Sequence, residues 1–365
     1  MKTTATVELV FIPSPGMSHL VSTVEMVKQL VGRDHRLSIT VLIMKRPFDK
    51  SKASSSTQSL LLTAAEDRLE FVYLPLDEAA AAELQSKVPD NFMLEFIEMN
   101  KQNVRDHVRT MVSAGSTRIA GFVVDVFCTP MMDVAAEFGV PSYVFFTSNA
   151  TILGVMFHME NLSPGEYVDL TELKDSDAEL ELPGFVNPVP VKMLPAPFLD
   201  KEFGSKFMSI AKRMRETKGI MVNTFEELES SAVRFLAEND KVPPVYPVGP
   251  LIQVFNNKNE EEEEAMEIMK WLDNQPLSSV IKLDYKKDFG SDNTKVMLVT
   301  AEEIDIGIRK LMEGGNACGE EIKRRVKEMS ETSKVVLVEG GSSYNSVGLL
   351  IEDFMNNVHT HSMSC

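Results

Sequence analysis

At 365 residues the chain exceeds what one hydrophobic core usually holds, so two domains are expected, and 44% hydrophobic content is that of a globular protein. A formal charge of −17 with no block of Lys and Arg excludes nucleic acid or an anionic membrane surface as partner. Three scattered cysteines, Cys128, Cys318 and Cys365, exclude a disulfide framework or a cysteine zinc site, and no stretch approaches the ~20 apolar residues of a membrane helix, so a cytoplasmic protein without integral membrane association is expected.

The first predicted strand, residues 7–12, is a short apolar run rich in β-formers. Pro13 and Pro15 cannot continue a ladder, and Gly16 lets the backbone turn. Leu20, Val21, Val24, Met26, Val27, Leu30 and Val31 then recur at helical spacing, with Ser18 as the expected N-cap. His19 falls in the first turn, facing the crevice where open parallel sheets bind ligands. A lone histidine there either caps and packs or carries chemistry. Strands at 37–44 and 69–74 follow, separated by a Ser-rich connection at 51–59, and a helix over 92–112 carries Ile97, Val104, Val108 and Met111 on one stripe.

A strand at 119–124 ends in Asp125, which is costly to bury unpaired. With the two strand ends adjacent, Asp125 accepts a hydrogen bond from one ring nitrogen of His19 and stabilises the imidazolium formed when the other takes a proton, a general-base dyad. The other reading of Asp125 is a structural acid satisfied by backbone N–H groups at a helix start. Further on come a helix at 130–138, a strand at 142–146, a long surface excursion at 163–197, a helix at 203–216, a strand at 219–223, a helix at 225–238 and a strand at 245–248. This alternation is that of a doubly wound parallel α/β sheet. Residues 1–250 form that domain. Residues 251–280, with five glutamates at 260–264 and the single Trp271, read as an acidic linker. Residues 281–365 hold one strand, at 281–284, and helices at 301–312, 320–337 and 344–355, too few strands for a second complete domain.

Several segments resemble plant UDP-dependent glycosyltransferases of family 1, of the flavonoid and phenolic glucosyltransferase type. They are Phe11-Ile-Pro-Ser-Pro-Gly-Met-Ser-His19, Val123-Val-Asp125-Val-Phe-Cys, Tyr143-Val-Phe-Phe-Thr147-Ser, Leu182-Pro-Gly-Phe-Val-Asn-Pro-Val-Pro, Gly219-Ile-Met-Val-Asn-Thr-Phe-Glu-Glu-Leu-Glu, Val245-Tyr-Pro-Val-Gly-Pro and Trp271-Leu-Asp-Asn-Gln-Pro. Near the other end Val299-Thr-Ala-Glu-Glu-Ile, Leu311-Met-Glu-Gly and Glu339-Gly-Gly-Ser-Ser-Tyr-Asn-Ser resemble the tail of such enzymes. The resemblance implies a GT-B architecture, with an amino-terminal Rossmann-like domain for the acceptor and a carboxy-terminal one for the nucleotide sugar. It further implies His19 as general base, Asp125 as its partner, and Gly16, Ser18 and Thr147 close to donor and acceptor. The reaction it implies is inverting transfer of a hexose, glucose first among them, from a UDP-sugar co-substrate to a phenolic hydroxyl, with no metal and no other cofactor.

The middle of the family pattern is absent. No Trp follows Trp271, no His lies between His158 and His359, and no His-Cys pair occurs, so the plant signature box has no counterpart: neither its Trp-x-Pro-Gln start, its His-Cys-Gly-Trp-Asn-Ser core nor its acidic-Gln end. Val280 runs straight into Ile281-Lys-Leu-Asp-Tyr, sequence resembling that beyond the box. An in-frame loss of roughly a hundred residues accounts for this, leaving a truncated, mostly helical Rossmann-like remnant. Two expectations follow: a glycosyltransferase by descent whose activity is weak or lost, or a non-catalytic acceptor-binding or partner protein.

Overall fold

The computed structural model describes residues 6–45, 61, 64, 67–88, 91–113, 118–162, 170–173, 176–252, 302 and 317–360. The chain divides into two compact units, Met1–Gln253 together with Glu339–Cys365, and Val254–Val338. The Ser-rich stretch at 51–59, the glutamate run, Trp271, the strand expected at 281–284 and, Glu302 apart, the helix expected at 301–312 lie outside the described residues.

The first unit is built on a seven-stranded sheet, β1 (Val7–Ile12), β2 (Leu37–Ile43), β3 (Leu69–Tyr73), β4 (Arg118–Asp125), β5 (Ser142–Phe146), β8 (Gly219–Val222) and β9 (Val245–Pro247), in the order β3-β2-β1-β4-β5-β8-β9. Every pairing in it is parallel. All seven strands were expected from their apolar runs. The chain winds outward from β1 to one edge and from β4 to the other, so the switch point lies between β1 and β4. A separate two-stranded antiparallel hairpin, β6 (Glu179–Leu180) and β7 (Val189–Pro190), lies within the excursion.

Parallel strands are apolar on both faces because helices cover both. One core layer holds Leu9 and Phe11 of β1 against α1 (Met17–Arg33), whose Leu20, Val24, Val27, Leu30 and Val31 are buried. On the other face Val10 and Ile12 meet a layer built from α3 (Phe92–Met99), α4 (Lys101–Ser113), α5 (Met131–Glu137), α6 (Ala150–Asn161), α7 (Lys201–Met214) and α8 (Ser230–Glu238). An alanine-rich helix, α2 (Glu78–Lys87), precedes these, capped by the Asp77 carboxylate on Ala80 N–H, 2.9 Å.

Three expectations change. The helix expected over 92–112 is broken at Asn100, whose side-chain Nδ2 donates to the Phe96 carbonyl, 2.9 Å, and so takes up an acceptor of the preceding turn. The excursion at 163–197 is not a surface loop throughout: Leu170, Leu182, Val191 and Leu194 are buried in the main core, while Val186 at its tip is 87% exposed. Gly184 holds it there with φ of +85°, its α-carbon so close to α8 that a Cβ would stand 2.9 Å from that of Ala232.

The third concerns α10 (Ser342–Thr360), which the domain expectation placed with 281–365. It packs on the amino-terminal sheet instead, beside α1, with Val347, Leu350, Ile351 and Phe354 buried at helical spacing. Phe354 lies edge-on to Tyr143, ring centroids 4.7 Å apart. Tyr143 Oη donates to Asp353, 2.7 Å, and Asn357 Nδ2 donates to the Ala120 carbonyl of β4, 2.7 Å. Lys218 Nζ reaches both the Asp353 carboxylate, 2.9 Å, and the Asn357 amide oxygen. A hydrophobic stripe with its polar ends satisfied by the sheet places the helix there. The second unit contributes one described helix, α9 (Ala317–Val335).

Candidate active site

The site lies at the carboxyl ends of β1 and β4, at the switch point. The Pro13-Ser14-Pro15 turn ends β1, and Gly16 N–H bonds back to the Ser14 carbonyl, 2.7 Å. That tight turn starts α1 earlier than expected. Gly16, extended and without a side-chain cap, is the N-cap, and its carbonyl accepts the first helical bond from Leu20, 3.0 Å. Ser18, expected to be the N-cap, is therefore exposed inside the first turn. His19, one residue on, turns toward β4.

His19 Nδ1 lies 2.7 Å from Asp125 Oδ2, with the histidine side chain 24% exposed and the aspartate 1%. Ionised Asp125 can only accept, which assigns the proton to Nδ1 and leaves the Nε2 lone pair for a substrate proton. Burial, the largest influence on His19, works against the imidazolium. The hydrogen bond to Asp125 and that carboxylate's charge together outweigh it and hold His19 above its ordinary value. Thr147 Oγ1, just past β5, is 3.3 Å from the same nitrogen, a longer approach than that of Asp125. Gly16 lies alongside, where a Cβ would sit 3.4 Å from His19 Cδ2. The Phe127 ring meets the imidazole edge-on at 5.9 Å.

The structure thus brings His19, Asp125, Thr147 and Gly16 together and leaves Ser18 at the exposed rim. Ser14, Phe127 and Cys128 were not anticipated. Ser14 Oγ donates to Asp125 Oδ1, the Phe127 N–H donates to the same oxygen, 3.1 Å, and Cys128 Sγ lies 3.6 Å from Ser14 Oγ. Asp125 thus accepts both from a backbone N–H at a helix start, as one reading of the sequence had it, and lies in hydrogen-bond contact with His19, as the other required.

The start of α6 follows Thr147 closely and is already occupied by an anion of the protein itself. Glu229 accepts from Ala150 N–H, 2.9 Å, Thr151 N–H, 3.0 Å, and Thr151 Oγ1, 2.6 Å. Burial raises the Glu229 carboxyl, but these bonds outweigh it and hold the group below its ordinary value. An incoming phosphate would have to displace it.

Sequence comparison gives the chain relatives. The chain is 46% identical over 306 residues to UDP-glycosyltransferase 71E1 of Stevia rebaudiana, an alignment covering 82% of the chain and 61% of that protein. To UDP-glucose flavonoid 3-O-glucosyltransferase 6 of Fragaria ananassa it is 45% identical over 307 residues, covering 81% and 63%. The chain is a relative of the plant UDP-glycosyltransferases. It spans about three fifths of the length of these glycosyltransferases, as the 61% and 63% coverages state. Among solved structures, a UGT from Siraitia grosvenorii in complex with UDP superposes with a TM-score of 0.75 at 28% identity, covering 96% of the chain and 100% of the neighbour. UGT71G1 of Medicago truncatula, complexed with UDP-glucose, gives 0.73 at 27%, covering 96% and 99%. The fold class is that of the GT-B glycosyltransferases. No protein-family model matches the chain. No described helix is long and apolar enough to cross a membrane.

Proposed function

We propose that the chain descends from a cytoplasmic enzyme that transfers a hexose, glucose first among candidates, from a UDP-sugar to a hydroxyl of a phenolic or flavonoid acceptor. The observation that carries this reading is the 2.7 Å contact between His19 and Asp125 at the switch point. In this mechanism Nε2 of His19 takes the proton of the acceptor hydroxyl as its oxygen attacks the anomeric carbon from the face opposite UDP, inverting the centre. Asp125 holds the tautomer and balances the imidazolium. Thr147, Gly16 and Ser18 line the approach to the dyad. UDP leaves with the bonding electrons.

A second reading rests on the sequence. With the signature box absent, the chain lacks the family's surface for uracil, its acid for ribose and its donors for the departing diphosphate. Positioning and leaving-group stabilisation both go with it, so transfer by this form is weak or lost. What then remains is a protein that binds acceptor, or pairs with a partner, without turnover.

Mass spectrometry of products, after incubating the full chain with UDP-glucose and a panel of phenolics beside His19→Ala, separates the two. Glycoside that disappears in the variant supports transfer by this chain. A folded chain that binds acceptor and yields none supports the second reading.

A further inference from the structure

We infer that Ser14 is the positioning residue of the dyad, its hydroxyl fixing the Asp125 carboxylate so that Oδ2 faces His19. The inference rests on the reading of His19 and Asp125 as a base and its partner.

A carboxylate at the end of a strand is free to turn about its Cβ–Cγ bond unless both oxygens are engaged. Oδ2 is engaged by His19, 2.7 Å away, and Oδ1 accepts from Ser14 Oγ and from the Phe127 N–H, 3.1 Å. The backbone bond comes from the segment that carries Asp125 itself and so fixes the carboxylate only relative to its own strand end. Ser14 reaches it from the neighbouring strand's end, and so ties the carboxylate to the turn that carries the histidine.

Ser14 has little freedom to do otherwise. It is buried at 5% exposure between two prolines, and Pro15 confines its backbone to extended conformations. Among the described residues the one other side-chain partner of its hydroxyl is Cys128, at 3.6 Å. Burial first, then the charge of Asp125, push the Cys128 thiol well above its ordinary value and keep it protonated. Since the one hydroxyl proton of Ser14 goes to Asp125 Oδ1, a thiol that keeps its proton is left as the donor in the contact with Ser14 Oγ. Hydrogen bonds run one way, from Cys128 through Ser14 to the carboxylate. Asp125 is the charged group acting on His19 among the described residues.

The test is the NMR titration of the His19 imidazole in the full chain, its resonance assigned with His19→Gln, for the parent, Asp125→Asn, Ser14→Ala and Ser14→Cys. The expected result is the largest fall in midpoint for Asp125→Asn and a smaller fall, about half a pH unit, for Ser14→Ala, as a carboxylate free to turn holds the imidazolium less well. Ser14→Cys keeps the volume but donates weakly, so the same direction of change there separates the hydrogen bond from a cavity, and it stands in should the alanine variant lose its far-UV circular dichroism. A midpoint unchanged or raised in the Ser14 variants, with Asp125→Asn lowered, overturns the role of Ser14 and leaves the dyad standing. A midpoint that Asp125→Asn also fails to move overturns the dyad itself.

Discussion

At the dyad, a proton is held more tightly in the folded chain than in the unfolded one, because Asp125 keeps His19 above its ordinary value of 6.5. The stabilisation from this ion pair is complete below about pH 6.5 and is lost as pH rises through the folded value. His19→Gln can retain one N–H donor to Asp125 but has no titrating charge. Its loss in urea midpoint relative to the parent is expected to be larger near ~pH 5.5 than near ~pH 8.5, and equal losses would remove the ion pair from the account. Asp125 was legible in the sequence because it closes an apolar strand run, and His19 because the Pro-Ser-Pro-Gly turn after β1 sets it in the first turn of α1, at the carboxyl edge of the sheet. Ser14 was not, since a serine between prolines reads as turn chemistry and nothing local reveals an acceptor 111 residues away.

Elements declared themselves where burial is one-sided or complete and short. The seven strands did so through continuous apolar runs, and α1 through its stripe. Helix α6 went unseen because Leu153, Gly154, Val155, Met156 and Phe157 are buried in succession, which erases the helical period. Helix α2 went unseen for the opposite reason, having only Ala81 buried. Helix α10 was found, but its partner was not, since a stripe records that a face is covered and not by what. Phe354 is fully buried against Tyr143, so Phe354→Ala is expected to cost about 3–5 kcal/mol in urea unfolding of the full chain. A loss below about 1 kcal/mol would mean that α10 is not part of the unit that unfolds.

For the molecule as a whole, the first compact unit is assembled from the two ends of the chain, 1–253 and 339–365. Joining these directly through a Gly/Ser linker of ~15 residues, with 254–338 removed, is expected to leave a cooperative urea transition, whereas 1–253 alone is expected to lose it or to aggregate through the exposed face. A broad, non-cooperative transition in the joined chain would show that the unit depends on 254–338. The packing of α10 also sets an order of events during synthesis. Strands β4 and β5 leave the ribosome about two hundred residues before the helix that covers Tyr143 and the Ala120 carbonyl, Tyr143 and Asp353 being 210 positions apart. Until then the nascent sheet carries one bare apolar flank, and everything between 254 and 338 must emerge before it can be closed. Chaperone demand in the cell is therefore a property of where this helix is encoded, and not only of how well it packs.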